Sequence, residues 1–282
     1  MPQRLSAVVH RLLAASRLLW RKRFGVLPLR VSLQPLNEWF ASPLGQVLLA
    51  QEQLLIDEHL RNLFGYHLLQ LSVTQERDLM AASRISHRFA LYPQESGNPV
   101  ISAKADFNHL PLPANSIDVV LLHHVLDYSQ SPHHVLRETT NVLISSGHLI
   151  LIGFNPWSLF GLGRWFARLF STAPQWRHQS LRLSRVLDWL AVLDMTPVII
   201  QQGFYRPASQ RPGMIKYLQW LERWGKRLRL PWGGFYLIVA RKDYAAMTPL
   251  KPAWQGYAAL RGWGVIKILG PANRQTRGTH KP

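Results

Sequence analysis

The chain of 282 residues contains no cysteine. This absence excludes disulfide bonds, thiolate metal ligands and a cysteine nucleophile, and it is typical of proteins of the reducing cytoplasm. The chain also lacks any run of about 18 apolar residues, so the sequence predicts no membrane-spanning helix. Hydrophobic residues still make up 47% of the chain. They suffice for a core, in one large domain with appendages or in two small domains.

Acidic residues are scarce, and they are scarcest at the two ends of the chain. There are 15 Asp and Glu against 33 Lys and Arg, which gives a formal net charge of +18. Residues 1–30 carry +7, residues 31–155 carry −5 and residues 156–282 carry +16. Such ends favour an anionic partner, either nucleic acid or an anionic membrane surface. A basic surface that serves solubility alone fits the counts equally well.

The charge pattern divides the chain into candidate regions. Residues 1–30 are a basic extension, and residues 5–22 within it have the spacing of an amphipathic helix. That segment is either an interfacial helix on anionic lipid or a stretch without regular structure. Residues 31–245 form the predicted domain, with a basic, aromatic-rich insertion at about 205–233, and residues 246–282 are a predicted disordered basic tail. We expect a cytoplasmic protein, with peripheral membrane association as the alternative.

The middle of the chain alternates between strand and helix patterns. Residues 117–122 are a continuous apolar run that suits a buried parallel strand. A helix is predicted from Ser131, because serine is a common N-cap and Pro132 fits the first helical position. Residues 145–147 are predicted to end this helix, and residues 148–154 form the next strand. The order predicts an α/β fold with a doubly wound, mostly parallel, Rossmann-like sheet.

Other patterns extend this prediction in both directions. Further strands are predicted at residues 66–71, 87–92, 100–103, 196–204 and 234–240, and further helices within 36–64, 181–193 and 213–230. The first of these helices contains Ser42 and Pro43, a second helix-start signal. Its acids Glu52, Asp57 and Glu58 are expected on a solvated face. Residues 157–170 are either a lid beside the site or a helix that packs its tryptophans into the core.

A family resemblance lies in residues 106–156, which are similar to the second half of a bacterial class I S-adenosylmethionine (SAM) dependent methyltransferase domain of type 11. The matching features are Asp106 before Leu110-Pro111-Leu112, Asn115 to Val120, the pair His123-His124, Ser131-Pro132, Gly147 and Asn155-Pro156. The similarity extends over residues 60–157 and, more weakly, 180–242. It implies the class I methyltransferase fold, SAM as the cofactor and methyl transfer to an acceptor that the sequence does not name.

The loop after the first strand departs from the family pattern. The family carries an acid followed by G-x-G-x-G, whereas this chain has Gln70 and then Ser72, Thr74 and Glu76. Side chains at glycine positions narrow the approach of the backbone to the cofactor, and Glu76 adds a negative charge near the methionine carboxylate. Ser72 to Gln75 resembles a capping box, so a helix is still predicted to begin there. The family holds the ribose with an acid at the end of the second strand; here no acid lies between Asp78 and Glu95, so this contact is missing unless Glu95 folds back. SAM binding is therefore predicted to be weak or lost.

The resemblance also implies which residues form the site. Its cofactor contacts correspond to Gln70, Ser72, Asp106, Phe107 and His123. Asp106 and Phe107 match the family pattern on the adenine side of the pocket. His123 and His124 end the fourth strand and are the candidate catalytic residues; in a strand, their side chains are expected on opposite faces.

Two functions are compatible with these features. The first is SAM-dependent methyl transfer to an unknown acceptor. The second is a catalytically inactive binding protein with a methyltransferase fold, which contacts nucleic acid or anionic membrane through its basic ends; the missing glycines favour it. No metal is expected, because the histidines of this region have no acid or cysteine at ligand spacing in the sequence.

Overall fold

The computed structural model describes residues 25–75, 77–94, 101–170, 176–179, 181–206 and 232–243. Within these ranges the chain forms six helices and seven strands. The helices are α1 (Leu29–Ala41), α2 (Pro43–Leu60), α3 (Val125–Tyr128), α4 (Pro132–Val142), α5 (Leu159–Phe170) and α6 (Leu183–Val192). The strands are β1 (His67–Ser72), β2 (His87–Tyr92), β3 (Ile101–Lys104), β4 (Ile117–His123), β5 (Leu143–Phe154), β6 (Met195–Gly203) and β7 (Phe235–Lys242).

All seven strands belong to one sheet, in the order β3-β2-β1-β4-β5-β7-β6. The first five strands of this order, from β3 to β5, are parallel to one another. Strand β7 runs antiparallel to both β5 and β6. The strand order reverses between β1 and β4, and ligands of open α/β sheets bind outside the carboxyl ends of the strands at such a switch point. The predicted doubly wound, mostly parallel, Rossmann-like sheet is confirmed.

Strand β4 shows why the centre of the sheet forms where it does. All of its residues are buried except Asp118, which is half-buried at its amino end. The Asp118 carboxylate accepts hydrogen bonds from the backbone N–H groups of Tyr66 and His67, at 3.0 and 2.9 Å. Gly65 lets the chain pass close by, since a Cβ there would lie 2.4 Å from the Asp118 Cβ. The single acid of the apolar run therefore aligns the start of β1 with β4.

The seven predicted strands are all observed, and their ends agree within two residues except at the start of β5. That strand begins at Leu143, five residues earlier than predicted, and so residues 145–147 lie inside it rather than at a helix end. Helix α4 stops at Val142. The register against β4 shifts between Ile117 and Val119, and Ser146 has a φ of 66°. This irregularity lets residues 145–147, whose residue types favour a turn, lie within the longer strand.

At two predicted helix starts, the structure differs from the capping pattern seen in the sequence. Pro132 is at the first position of α4 as predicted, but the Ser131 side chain makes no capping hydrogen bond. The helix predicted from Ser72 is not observed; the described residues between β1 and β2 form turns. The Ser72 hydroxyl instead accepts from the N–H of Thr74, two residues on, and bonds His123. The bond to the Thr74 N–H is of the N-cap type, yet no helix follows it in the described residues.

Helices α1 and α2 form the amino-terminal part of the described fold. Ser42 separates them, and its hydroxyl accepts from the N–H of Gly45 at 3.3 Å, which confirms the predicted helix start. The buried face of α2 follows every fourth residue and includes Leu44, Leu48, Glu52, Ile56 and Leu60. One member of this otherwise apolar face is a carboxylate.

Several predicted regions lie outside the described residues. These are the amphipathic segment 5–22, the helix at 213–230, most of the insertion and the tail, so the predicted division into regions stays a prediction. Residues 157–170 are described in their backbone, and Trp157 and Trp165 are 65% and 52% exposed, so these tryptophans do not pack into the core. No described helix has the length and apolar content to cross a membrane.

Candidate functional site

A hydrogen-bonded cluster of buried polar side chains lies at the carboxyl end of β4. It consists of Glu52, His123, His124 and Asp127, each fully buried. The Glu52 carboxylate bonds both imidazoles, with 3.0 Å from Oε2 to His123 Nε2 and 2.8 Å from Oε1 to His124 Nε2. Asp127 Oδ2 lies 3.0 Å from His124 Nδ1 and also accepts from the N–H of Phe154. Helix α2, strand β4, helix α3 and strand β5 thus all reach one network.

A left-handed backbone conformation brings the two histidines together. His124 follows the last residue of β4 and has φ 56° and ψ 10°. Its ring therefore does not alternate with that of His123, and the two ring centroids lie 4.6 Å apart, both facing Glu52. The expectation that they point to opposite faces is wrong, because the alternation of a strand ends where its dihedral angles end.

The hydrogen-bond partners of each imidazole ring indicate which of its nitrogens carry a proton. Both nitrogens of His124 face carboxylate oxygens, so both must donate, and this ring is an imidazolium. His123 donates from Nε2 to Glu52, which leaves Nδ1 to accept the Ser72 hydroxyl hydrogen at 2.9 Å. No nitrogen of either ring is free to take a proton from an acceptor. Their assignment as catalytic bases stays a prediction that these hydrogen bonds do not favour.

The electrostatics agree with this assignment. Burial raises the pKa of Glu52, but the charge of His124 and the hydrogen bonds from both imidazoles outweigh it and lower the pKa to about 2. Burial lowers the pKa of His123, and that direction prevails. Burial opposes charge on His124 as well, yet its two carboxylate partners raise the pKa above its ordinary value. The cluster carries two carboxylates and one imidazolium.

Glu52 is the site residue whose environment the sequence reasoning misjudged. It was expected on a solvated helix face with Asp57 and Glu58, of which Glu58 is indeed exposed and Asp57 half-buried. A signal for the error exists in the sequence, because Glu52 falls on the every-fourth-residue line of the buried face of α2. An acid on such a line needs buried partners. Those partners come from residues more than 70 positions away, which no local pattern can indicate.

Within the described chain, three side chains of this buried cluster are close enough together to hold a metal ion. Glu52, His123 and His124 each offer a ligand atom, and these atoms lie within 4.8 Å of one another. In the present geometry, however, each Nε2 is paired directly with a Glu52 oxygen. The expectation of no metal stays a prediction.

A cavity of about 190 Å³ lies on the other side of α3, beside Asp106. It is lined by Pro28, Leu29, Arg30, Pro93, Asp106, Phe107, Asn108, Val125, Ser129, Gln130 and Val135. Asp106 Oδ1 accepts from the backbone and side-chain N–H groups of Asn108, and these hydrogen bonds lower the pKa of Asp106. The carboxylate is therefore ionised and held in place at the rim of a pocket that is lined by polar and apolar side chains in similar measure. Both predicted residues of the adenine side, Asp106 and Phe107, line this cavity.

The loop after β1 is covered by helix α1. Asn37 accepts the Gln75 N–H at 3.1 Å through Oδ1 and donates to the Tyr92 hydroxyl at 3.1 Å through Nδ2. Ser72 and Thr74 are buried. Tyr92 ends β2, where the family places an acid. The chain's own helix thus occupies the side of the cleft that the resemblance assigns to the ribose and methionine parts of the cofactor.

The remaining predicted cofactor residues are placed as follows. Gln70 is buried in β1, and its Oε1 has no hydrogen-bond partner within the described chain. Ser72 and His123 are neighbours across β1 and β4 and bond each other rather than an open pocket. Glu76 lies outside the described residues. Of the five predicted cofactor contacts, Asp106 and Phe107 line the cavity described above.

Comparison with known proteins supports the class that this sheet defines. A family model described as a methyltransferase domain matches residues 64–151. Among solved structures, an SAM-dependent methyltransferase from Archaeoglobus fulgidus is 14% identical, with 67% of this chain and 94% of that chain covered and a TM-score of 0.47. A possible histamine N-methyltransferase from Thermotoga maritima is 15% identical, with coverages of 70% and 96% and a TM-score of 0.47. The matched family model and the strand order together give the fold of a class I methyltransferase.

A curated relative narrows the family. The protein named "Uncharacterized protein YafS" from Escherichia coli K12 is 33% identical over 218 residues, which are 76% of this chain and 84% of the relative. The chain therefore belongs to the YafS family of methyltransferase-domain proteins. The resemblance to a methyltransferase domain that was found in the sequence is confirmed.

Proposed function

We propose that this protein is a SAM-dependent methyltransferase that acts on a small-molecule acceptor. The observation that carries the proposal is the cavity beside Asp106, which lies next to the switch point of a methyltransferase-family sheet. Its lining combines the ionised carboxylate, the Arg30 side chain and further polar groups with apolar side chains. This is the position where open α/β sheets bind nucleotides. The proposal is independent of the family's glycine-rich loop, which this chain lacks.

The fit of the cofactor to the described residues differs between its two ends. The cavity of about 190 Å³ suits an adenine ring, with Asp106 as an acceptor for N–H or ribose hydroxyl groups and Phe107 as part of the apolar wall. It is smaller than the ~300 Å³ at which pockets for whole drug-sized ligands begin. The methionine end needs the space over the β1 loop that Asn37 covers. Binding of the complete cofactor thus requires α1 to move from that loop.

The chain contributes positioning and exclusion of water to the reaction. When bound, SAM supplies a methyl group on a positively charged sulfur, which becomes a neutral thioether as an acceptor lone pair bonds the methyl carbon. Such a transfer depends mainly on holding the acceptor in line and dry. The network of Glu52, His123, His124 and Asp127 serves this by fixing the segment between β4 and α3. It acts as a support and exchanges no proton with the acceptor.

A binding experiment with SAM tests the proposal. Thermal denaturation with and without SAM should show stabilisation of the unmodified protein, because a ligand of the native state raises its melting temperature. Asp106→Ala should abolish this shift and change the unliganded melting temperature little. Asp118→Ala is the matched control: it removes two structural hydrogen bonds at the opposite end of the sheet, so it should lower stability and keep the shift. Equal SAM shifts in the unmodified protein and Asp106→Ala would contradict the proposal.

The partner and location predictions stay open beside this function. Nucleic acid or anionic membrane contact was predicted from the basic ends, of which residues 1–24 and 244–282 lie outside the described residues. A cytoplasmic location likewise stays a prediction. The catalytically inactive alternative receives no support from the described site.

A further inference from the structure

A second, larger cavity lies beyond the carboxyl end of β5. Its volume is about 470 Å³, within the range of small-molecule sites. Its walls are mainly apolar and include the exposed side chains of Trp157, Leu159, Leu162, Trp165 and Trp232. Large side chains that stay exposed around one cavity are typical of a binding surface.

Arg164 lines this cavity and is 1% exposed. Its Cζ lies 3.6 Å from the centroid of the Phe154 ring, and its Nη2 donates to the Tyr128 hydroxyl at 2.7 Å. Its Nε and Nη1 have no hydrogen-bond partner within the described chain, where no carboxylate pairs with it either. Burial of an unpaired guanidinium is costly, because the charge loses its hydration and gains no counter-ion.

The side chains of Asn155, Ser158 and His178 also line the cavity, and each already has a partner; His178 Nδ1 bonds the Trp176 carbonyl at 3.0 Å. The Ser158 hydroxyl donates to the Asn155 carbonyl and accepts from the Gly161 N–H, and Asn155 Oδ1 accepts from the Trp157 N–H. No Asp or Glu is among the residues that line the cavity. Arg164 is therefore a positive charge with spare donors in an otherwise apolar and internally satisfied pocket.

The position of the cavity relates it to the cofactor side. Phe154 lies between two cationic groups, since its ring centroid is 3.8 Å from that of His124 and 3.6 Å from Arg164. Helix α3 contacts both cavities: Val125 lines the one beside Asp106, and Tyr128 bonds Arg164. Residues of the same four-residue helix therefore contact the linings of both cavities.

We propose that the larger cavity is the acceptor site and that it takes a small molecule with an apolar body and one anionic group, a carboxylate or a phosphate, bound by Arg164. An anion would supply the missing counter-charge and accept from the unpartnered nitrogens. The aromatic and aliphatic walls would bury the apolar body. That the ligand is the acceptor rests on the proposed function; that it is an amphipathic anion rests on the cavity alone.

Two dyes with closely similar rings test the charge requirement. The anionic 8-anilinonaphthalene-1-sulfonate and the neutral N-phenyl-1-naphthylamine would be titrated by fluorescence into the unmodified protein and three variants. Arg164→Gln should weaken the anionic dye at least about tenfold, since hydrogen bonds to charged groups are strong, and leave the neutral dye within about twofold. Arg185→Gln, an exposed arginine outside the cavity, should change neither. Leu162→Gln, in the apolar wall, should weaken both.

Equal effects of Arg164→Gln on the two dyes, or no effect on either, would overturn the proposal, as would binding that ignores Leu162→Gln. If Arg164→Gln fails to fold, a competition on the unmodified protein decides. Dodecanoate or dodecyl phosphate should displace the neutral dye at concentrations about tenfold or more below 1-dodecanol, and the better of the two identifies the anion. Equal displacement by dodecanol rejects an anion site. These probes need no SAM, so failed SAM binding alone would reject the proposed function and leave the cavity inference standing.

Discussion

At the scale of single residues, Glu52 ties the amino-terminal helices to the centre of the sheet. One carboxylate satisfies two imidazoles, and each of its oxygens has one partner. Removing one member of such a buried group leaves the others uncompensated, which costs far more than the pairing itself contributes. The residue therefore matters for stability whether or not it has a part in the reaction.

Glu52→Gln should destabilise the protein by about 3–5 kcal/mol, because the His124 imidazolium loses its nearer carboxylate inside the core. Urea denaturation at neutral pH would measure the loss. Glu58→Gln is the matched control: it makes the same change on the exposed side of the same helix and should alter stability by less than about 0.5 kcal/mol. Similar losses in both variants would show that the buried network contributes little.

The pH dependence of stability should reveal the charge on His124. Its pKa is raised in the folded protein, so its contribution is complete below its unfolded pKa of about 6.5 and is lost as the pH rises through the folded value. The difference in free energy of unfolding between the unmodified protein and His124→Gln should therefore shrink from pH 6 to about pH 9. Glu52 gives the opposite trend in acid, where its contribution is lost as the pH falls below about 4.5. A His124→Gln difference that grows with pH would contradict an imidazolium.

At the scale of elements, helix α1 determines access to the cofactor cleft. Asn37 holds both the loop after β1 and the end of β2, and residues at the start of the same helix line the cavity beside Asp106. A helix that covers a site from one side must be displaced for a larger ligand to enter, and this lowers the apparent affinity by the fraction of molecules that are open.

We expect the unmodified protein to bind SAM with a dissociation constant on the order of 100 μM or weaker. Asn37→Ala should tighten binding by about fivefold, since two hydrogen bonds that hold α1 down are lost. Calorimetric titration measures both values. Gln34→Ala, on the same helix but with an exposed partner, should leave the constant unchanged. Weaker binding by Asn37→Ala would mean that Asn37 contacts the cofactor itself.

The loop after β1 limits how the lost glycines can be restored. Ser72→Gly with Glu76→Gly would restore two glycines of the family loop and should tighten SAM binding if the loop alone weakens it. Ser72, however, donates to His123 Nδ1 and accepts from the Thr74 N–H. Its replacement leaves a buried imidazole nitrogen unpaired and so destabilises the carboxyl end of β4. Glu76→Gly alone is the cleaner test of charge.

At the scale of the whole molecule, the charge is divided between a mildly acidic middle and strongly basic ends, at +7, −5 and +16. The basic ends should retain the protein on heparin at low salt, and retention should fall steeply as salt rises because phosphate-like contacts release counter-ions. A chain of residues 25–243 loses a charge of +6 at each end and keeps +6 in total, so it should elute at lower salt. Retention that ignores salt, or equal retention of both forms, would show that the ends do not form a polyanion-binding surface.

The fold class, the seven strands and the family could all be predicted from the sequence. Apolar runs, turn residues and the Asp106 and Asn115–Asp118 motifs are local features, and local features are enough to specify a βαβ sheet. The sequence also predicted Asp106 and Phe107 as cofactor contacts; both line a cavity, and their contact with SAM stays a prediction. It misjudged places where one residue departs from a regular pattern, such as the left-handed His124 and the strand that absorbs residues 145–147.

The roles of the buried polar residues, in contrast, depend on contacts between distant parts of the chain. Glu52 and His123 are 71 positions apart, and Asn37 and Tyr92 are 55 apart. Whether an acid on a helix is solvated or paired depends on which distant side chains the fold brings against it, because the cost of burying a charge is met by its partners rather than by its neighbours in the chain. The same holds for Arg164. The sequence shows it as a basic residue in a helix, whereas the fold buries it as an unpaired cation in an apolar cavity.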